Sequence, residues 1–200
     1  MRSEPAQLRS RNLRTLALLA ALFLLPLLLA FFTYYGSSWR PARHVNHGTL
    51  LQPARPLPQA PLSLLGNGDQ RLPQRLFMHR WSLVYIGDGA CDADCRQALY
   101  VMRQTRLSLN NDMDRVMRVF LATGECCARD FLAREQPGLV VVDATDAAAA
   151  AVLREFPLGR AHTLFVVDPL GNLLMSYDAR QNPHGLLEDL KNLLRLSQIG

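Results

Sequence analysis

Lysine is almost missing from this 200-residue chain: Lys191 is the single one among 22 basic side chains. With abundant Ala, Leu and Pro, that bias fits a GC-rich bacterial genome. Net charge is missing from most of the chain as well. Residues 70–200 carry 15 basic and 15 acidic side chains, whereas the seven arginines of residues 1–69 are opposed only by Glu4 and Asp69. The formal charge of +5 therefore belongs to the N-terminal part. No basic stripe interleaved with aromatics occurs in the remainder, which excludes nucleic acid as a partner. A small-x-small cleavage site after the one long apolar run is also lacking, so an uncleaved anchor is expected rather than a cleaved signal peptide.

That run, residues 16–35, reads LALLAALFLLPLLLAFFTYY. It holds about 20 residues without a charge, the length that crosses roughly 30 Å of hydrocarbon. Pro26 is tolerable inside it as a kink. Phe31, Phe32, Tyr34, Tyr35 and Trp39 gather at its end like an interfacial aromatic belt. Arg2, Arg9, Arg11 and Arg14 precede it, while Arg40 and Arg43 follow. The positive-inside bias thus predicts a cytoplasmic basic arm (1–14) and a transmembrane signal anchor (15–35) in a bacterial inner membrane, with the bulk of the chain in the periplasm. Six prolines in residues 36–73 predict an extended tether poor in regular structure. Within it His44 and His47 read either as solvated residues or as auxiliary metal ligands near the membrane.

From residue 74 the pattern changes to that of a folded domain ending at 200. Residues 81–86 (WSLVYI) suit a buried strand, and 94–109 place Ala98, Leu99, Met102 and Leu109 at helical spacing. Strands are predicted at 115–123 and 139–143, a helix at 128–134, and an alanine-rich helix capped by Thr145 or Asp146. TLFVVD and LLMSYD flank the turn signal Pro169-Leu170-Gly171-Asn172, and an amphipathic helix over 183–196 closes the chain. Strand, helix, strand, helix, strand, helix, hairpin, helix is an α/β layout with a mixed sheet.

Chemistry concentrates in GDGACDADCRQAL and GRAHTLFVVDPLGN, which hold Cys91, Cys95 and His162. Two thiols one helical turn apart and a distant imidazole can cycle as dithiol and disulfide or hold a soft metal ion, with Cu(I) the best match. If the strands at 81–86 and 115–122 are parallel neighbours, their C-terminal ends share one sheet edge, and the thiols sit there. An antiparallel hairpin strand starting at Thr163 begins at that edge and places His162 opposite them. The helix N-terminus favours thiolate. Asp92 and Asp94 oppose it, a repulsion that a bound cation would relieve.

A short strand, a Cys pair at the head of a helix and a later residue-Thr step before a D-P-x-G hairpin resemble the thioredoxin superfamily, with His162 where thioredoxins keep a cis-proline. Within it, C-x-x-x-C followed by a His before that hairpin is similar to the Sco (SenC/PrrC) copper chaperones, over residues 65–196. The resemblance implies a thioredoxin-like mixed sheet flanked by helices, behind one N-terminal transmembrane helix. It also implies one copper ion per domain on Cys91, Cys95 and His162. Delivery would be to cytochrome c oxidase subunit II, or the subunit's copper-site cysteines would be reduced, with another copper chaperone as a candidate partner. Sco proteins usually have prolines around the Cys motif and an acidic residue before the His. This chain has Asp92, Ala93, Asp94 and Arg96, and then Ala161, which marks a divergent member.

Other readings stay open at this point. One is a periplasmic thiol-disulfide oxidoreductase in which Cys91, taken as the more exposed cysteine, attacks and Cys95 resolves. Another is a fold kept for protein contacts. Cys91–Cys95 could be a purely structural disulfide and His162 a core histidine at a tight turn. Cys126 and Cys127 follow the second domain strand, as a second thiol pair, as extra soft ligands, or as one buried and one free thiol. Arg103 and Arg106 read as a solvated helix face, and His79 and His184 as lying away from the site edge.

Overall fold

A computed structural model describes residues 4–35, 46–65, 75–124, 127–157, 162–197 and 199. Two units separate, Met1–Val45 and Asn46–Gly200. The first consists of helix α1 (Glu4–Tyr35), within which the 23 residues Leu13–Tyr35 are long and apolar enough to cross a membrane. At 1.5 Å per residue they span about 35 Å. Their side chains are all exposed, as lipid contact requires, and Pro26 lies inside the helix.

The second unit is built on one seven-stranded mixed sheet. Its strands are β1 (Thr49–Pro56), β2 (Ser63–Leu64), β3 (Trp81–Asp88), β4 (Val116–Thr123), β5 (Leu139–Asp143), β6 (Thr163–Val167) and β7 (Asn172–Asp178), in the spatial order β1-β7-β6-β3-β4-β5-β2. Strands β3, β4 and β5 are parallel, and β6, β7 and β1 follow antiparallel on one side. Helices are α2 (Ala93–Leu107), α3 (Arg129–Glu135), α4 (Ala147–Leu153) and α5 (Pro183–Leu196).

Burial on both faces explains the unbroken apolar strands. Along β4, Val116, Phe120 and Ala122 join the core under α2 and α5, while Val119 and Leu121 join the core under α4. Local caps end the elements where the sequence suggests. Asp146 accepts a hydrogen bond from the Ala149 N–H, Asn182 from the Gly185 N–H, and Gly171 turns the β6–β7 hairpin at φ +83°.

The proline-rich stretch departs from expectation. Residues 46–65 are not an extended tether but carry both edge strands of the sheet. Prolines suit an edge, where a missing N–H breaks no ladder bond. Leu57 and Leu62, buried beside Phe77, supply the apolar attachment that composition alone concealed. A 3-10 turn over Asn110–Arg115, also unread, leads into β4.

One end of the sheet collects the C-terminal ends of β3, β4, β5 and β7 and the starts of β1 and β6. The register pairs Thr163 with Asp178 and Thr49 with Ser176. The thiols and the imidazole fall at this end.

Candidate thiol and metal site

The loop after β3 is shaped by its acidic residues. Asp88 accepts the Ala90 N–H on its side chain at 2.7 Å and the Cys91 N–H on its carbonyl at 3.1 Å. Cys91 follows with φ +52°, a left-handed conformation that non-glycine residues rarely adopt. Asp92 is the N-cap of α2 and accepts the Cys95 N–H at 2.9 Å. Cys91 therefore precedes the helix and only Cys95 stands on its first turn, in place of two cysteines on one helical face.

The bend brings the sulfurs together. Cys91 and Cys95 form a disulfide with Cα atoms 5.0 Å apart. Each residue is 2% exposed, so Cys91 is not the more exposed of the two. Both belong to the core with Tyr85, Ala98 and Leu99, which covers the loop from below. Burial, followed by the charges of Asp92 and Asp94, pushes the Tyr85 phenol up to about 12, so it stays neutral beneath the site.

His162 immediately precedes β6 and its carbonyl accepts the Ala179 N–H at 2.9 Å. Its Nδ1 lies 3.9 Å from an Asp94 oxygen and its Nε2 lies 3.7 Å from an Asp178 oxygen. Both distances exceed a hydrogen bond, and Nδ1 is buried without a partner. Arg180 closes the cluster by pairing with Asp94. That hydrogen bond is the main reason the Arg180 guanidinium titrates above its ordinary value. Asp94, adjacent in sequence to Cys95, thus sits between the imidazole and a cation.

The donor chemistry of Cys91, Cys95 and His162 fits a soft ion once the cysteines are reduced. In the disulfide state the two sulfurs are bonded to each other. Among the described residues no group of three or more His, Cys, Asp or Glu is then arranged to hold a metal. Two-electron reduction would release two thiolate ligands at the sheet end that also carries a buried imidazole nitrogen without a partner.

Other candidates fall differently. Cys127 is disulfide-bonded and no described cysteine is free, which removes the reading of a free thiol there. Cys126 lies outside the described residues, as does His44. The Ala128 N–H donates to the Gly89 carbonyl at 3.0 Å, tying the start of α3 to the cysteine loop. His47 is exposed, as a solvated residue would be, but its ring is engaged by α5: Nδ1 is 3.0 Å from Asp189 and Nε2 is 3.3 Å from Glu188. His79 lies at the far end, its N–H bonded to the Pro169 carbonyl. His184 occupies the exposed first turn of α5, where the next residue, Gly185, packs against His47. That puts it at the site end and not away from it.

A family model described as "Transmembrane-like, thioredoxin-like, C-terminal domain" matches residues 81–197. The chain belongs to this family. No curated protein matches it. Among solved structures, this thioredoxin-like domain is similar to the apo Sco1 protein from Thermus thermophilus, at 19% identity and TM-score 0.60 over 76% of this chain and 99% of that one. Yeast Sco1 with copper bound gives 12% identity and TM-score 0.62 over 74% and 96%. Bradyrhizobium japonicum ScoI with copper bound gives 16% identity and TM-score 0.52 over 70% and 98%. At such identities the likeness is one of fold, and it bears out the expected thioredoxin-like mixed sheet, which follows the one apolar helix α1 in the chain.

Three members of the thioredoxin-like site escaped sequence reasoning: Tyr85, Asp178 and Arg180. Tyr85 reads as one more strand aromatic. The other two come near Asp94 and His162 only through the β6–β7 register, although the position of Asp178 at the end of a predicted strand was a usable signal.

Proposed function

We propose that this thioredoxin-like protein is a membrane-tethered copper metallochaperone whose cargo is one copper ion taken by Cys91, Cys95 and His162. The observation that carries the reading is the buried, unpartnered Nδ1 of His162 at the sheet end that also holds the cysteine pair. A core histidine would normally find a hydrogen-bond partner there. The fold shared with Sco1 proteins, two of them solved with copper bound, supports it. The oxidised pair must first accept two electrons and two protons from a dithiol donor. Copper then displaces the thiol protons, and transfer proceeds by stepwise exchange of these ligands for thiolates of the recipient, which we take to be the copper site of cytochrome c oxidase subunit II. The arginine distribution around α1 supports a domain on the periplasmic side of a bacterial inner membrane.

The disulfide itself favours a second reading. Reduced Cys91–Cys95 would pass its two electrons to a disulfide of the recipient through a mixed disulfide, keeping the recipient's cysteines ready for metal.

Cu(I) titration of the reduced full chain in detergent, against a competing chelator, tests the first reading with His162→Ala as comparator. One ion per chain, bound more than about 100-fold more weakly by the variant, exceeds what loss of an outer-shell partner costs and assigns His162 as a ligand. Weak binding that the substitution leaves unchanged overturns the metal site and leaves the dithiol reading in front.

A further inference from the structure

Beside the cysteine loop, between α2 and α3, lies a face with an excess of positive charge. Arg96, Arg103, Arg129 and Arg134 line two adjoining depressions of about 480 and 400 Å³ that share Arg96, Phe131 and Glu135. Among the described residues none of these four arginines forms an ion pair, whereas Arg106, Arg115 and Arg180 each face an aspartate. Asp130 and Glu135 line the same face and leave two positive charges in excess.

The strip reaches the disulfide loop. Arg96 lies 4.6 Å over the Phe131 ring, and its Nε donates to the Cys91 carbonyl at 3.3 Å. A fifth guanidinium lies beneath. Arg118 is 2% exposed and bonded only to neutral acceptors, the Gln136 side chain at 2.7 Å and the Pro137 carbonyl at 2.6 Å, with Nε unpartnered. Gln136, which holds Arg118, lines the same depression as Arg103. Burial above all, then the charges of Arg106 and Arg103, pull the Arg118 pKa down to about 10, which still leaves it charged at neutral pH. Buried charge without a counter-ion is costly, and it adds to a positive field over the groove.

We propose that this groove docks an acidic polypeptide segment of the protein that Cys91 and Cys95 serve, its carboxylates meeting Arg96, Arg103, Arg129 and Arg134. The identity of the occupant as the recipient protein rests on the reading of the cysteine pair as a site that acts on a partner, and its acidity follows from the arginines. A polypeptide is favoured over a lipid surface because the groove is concave and carries two aromatic contacts. These are Phe131, which stacks on the Arg96 guanidinium, and the 54% exposed Tyr100.

The test uses the full chain, oxidised, in neutral detergent, with a fluorescein-labelled Asp/Glu-rich peptide followed by anisotropy at low salt. R103E/R129E should weaken binding at least about tenfold, some 1.4 kcal/mol. R55E/R154E makes the same charge change on β1 and after α4, and should have far less effect. R129E/R134E, at two exposed positions, repeats the comparison if the half-buried Arg103 proves needed for folding. Selective loss in the groove variants supports the docking face. Equal weakening by R55E/R154E, absence of wild-type binding, or groove-dependent binding of anionic lipid vesicles without the peptide each overturns it. The assay involves neither copper nor free thiols. Peptide binding alongside failed copper binding would therefore sink the metallochaperone reading alone, and the reverse result would sink only the docking face.

Discussion

The carboxylate of Asp189 on α5 receives the backbone N–H of His47 at 2.7 Å, across 142 residues of sequence. The same oxygen accepts the Gly48 N–H at 3.0 Å and the Tyr177 hydroxyl at 2.8 Å. Asp189 is 4% exposed, so a single buried carboxylate holds the entry of the chain, the last strand and the closing helix together at the site end.

Replacing Asp189 with alanine strands these donors, and each buried group left unpaired costs about 1–3 kcal/mol. A loss of roughly 2–4 kcal/mol in urea denaturation is expected, with hydrogen exchange in β1 rising before that of β3. Asp189→Asn keeps an acceptor oxygen and should recover part of the loss. Unchanged stability in the alanine variant would refute the clamp.

Alkaline pH should unfold the domain through its buried tyrosines. Burial, then the hydrogen bond and charge of Asp189, push the Tyr177 phenol far above its ordinary range, and Tyr85 is pushed up to about 12. Both folded-state values exceed the unfolded one of about 10. Below that pH both states keep the proton and nothing depends on it. Above it the unfolded chain releases protons that the folded chain retains, so stability falls from about pH 10 upward, through 12 for Tyr85. Melting temperature and tyrosinate absorbance over this range check the window, and Tyr85→Phe should flatten its lower part. Two buried phenols titrating with the exposed ones in a protein that stays folded would contradict it.

Gly87 has no room for a side chain. A Cβ there would lie 2.8 Å from Cε1 and 2.9 Å from the hydroxyl of Tyr85. Gly87→Ala should destabilise by about 1–3 kcal/mol through overpacking. Adding Tyr85→Leu, which removes the ring, should restore part of that, as measured by chemical denaturation. A destabilisation left intact in the double variant would mean that another contact is responsible.

Asp92 does two things that substitution can separate. Asp92→Ala removes the α2 cap and should cost about 1 kcal/mol. Asp92→Asn keeps the cap while removing a negative charge beside the sulfurs. In reduced protein the Asn variant should raise the thiolate fraction and speed alkylation at neutral pH, with stability close to wild type. An alkylation rate equal to wild type would show that the Asp92 charge does not restrain the thiols.

Strands β3 to β7, helices α2 to α5 and the β6–β7 hairpin were legible in the sequence because local signals agree there. Apolar runs bounded by Gly, caps such as Asp146, and the Pro183 start of α5 all point one way. Strands β1 and β2 were hidden because prolines speak against strands everywhere except at an edge, and whether a segment is an edge depends on its neighbours. The site was half legible. Parallel β3 and β4 with an antiparallel β6 were enough to bring Cys91, Cys95 and His162 to one end. The burial of Cys91, the capping role of Asp92 and the capture of His47 by Asp189 were not readable.

What the sequence alone determined is the order of elements from β3 to α5, the apolar helix long enough to span a membrane and the end of the sheet that carries the cysteine pair and His162. Those follow from periodicity, chain connectivity and the handedness of crossovers, all of which are local or topological. Only the tertiary structure decided how deeply the cysteines are buried, that Asp94 is engaged by Arg180 while His162 Nδ1 is left without a partner, and that among the described residues four arginines near the loop form no ion pair. These are contacts between residues distant in sequence, and burial and pairing of that kind exist only once the layers have packed.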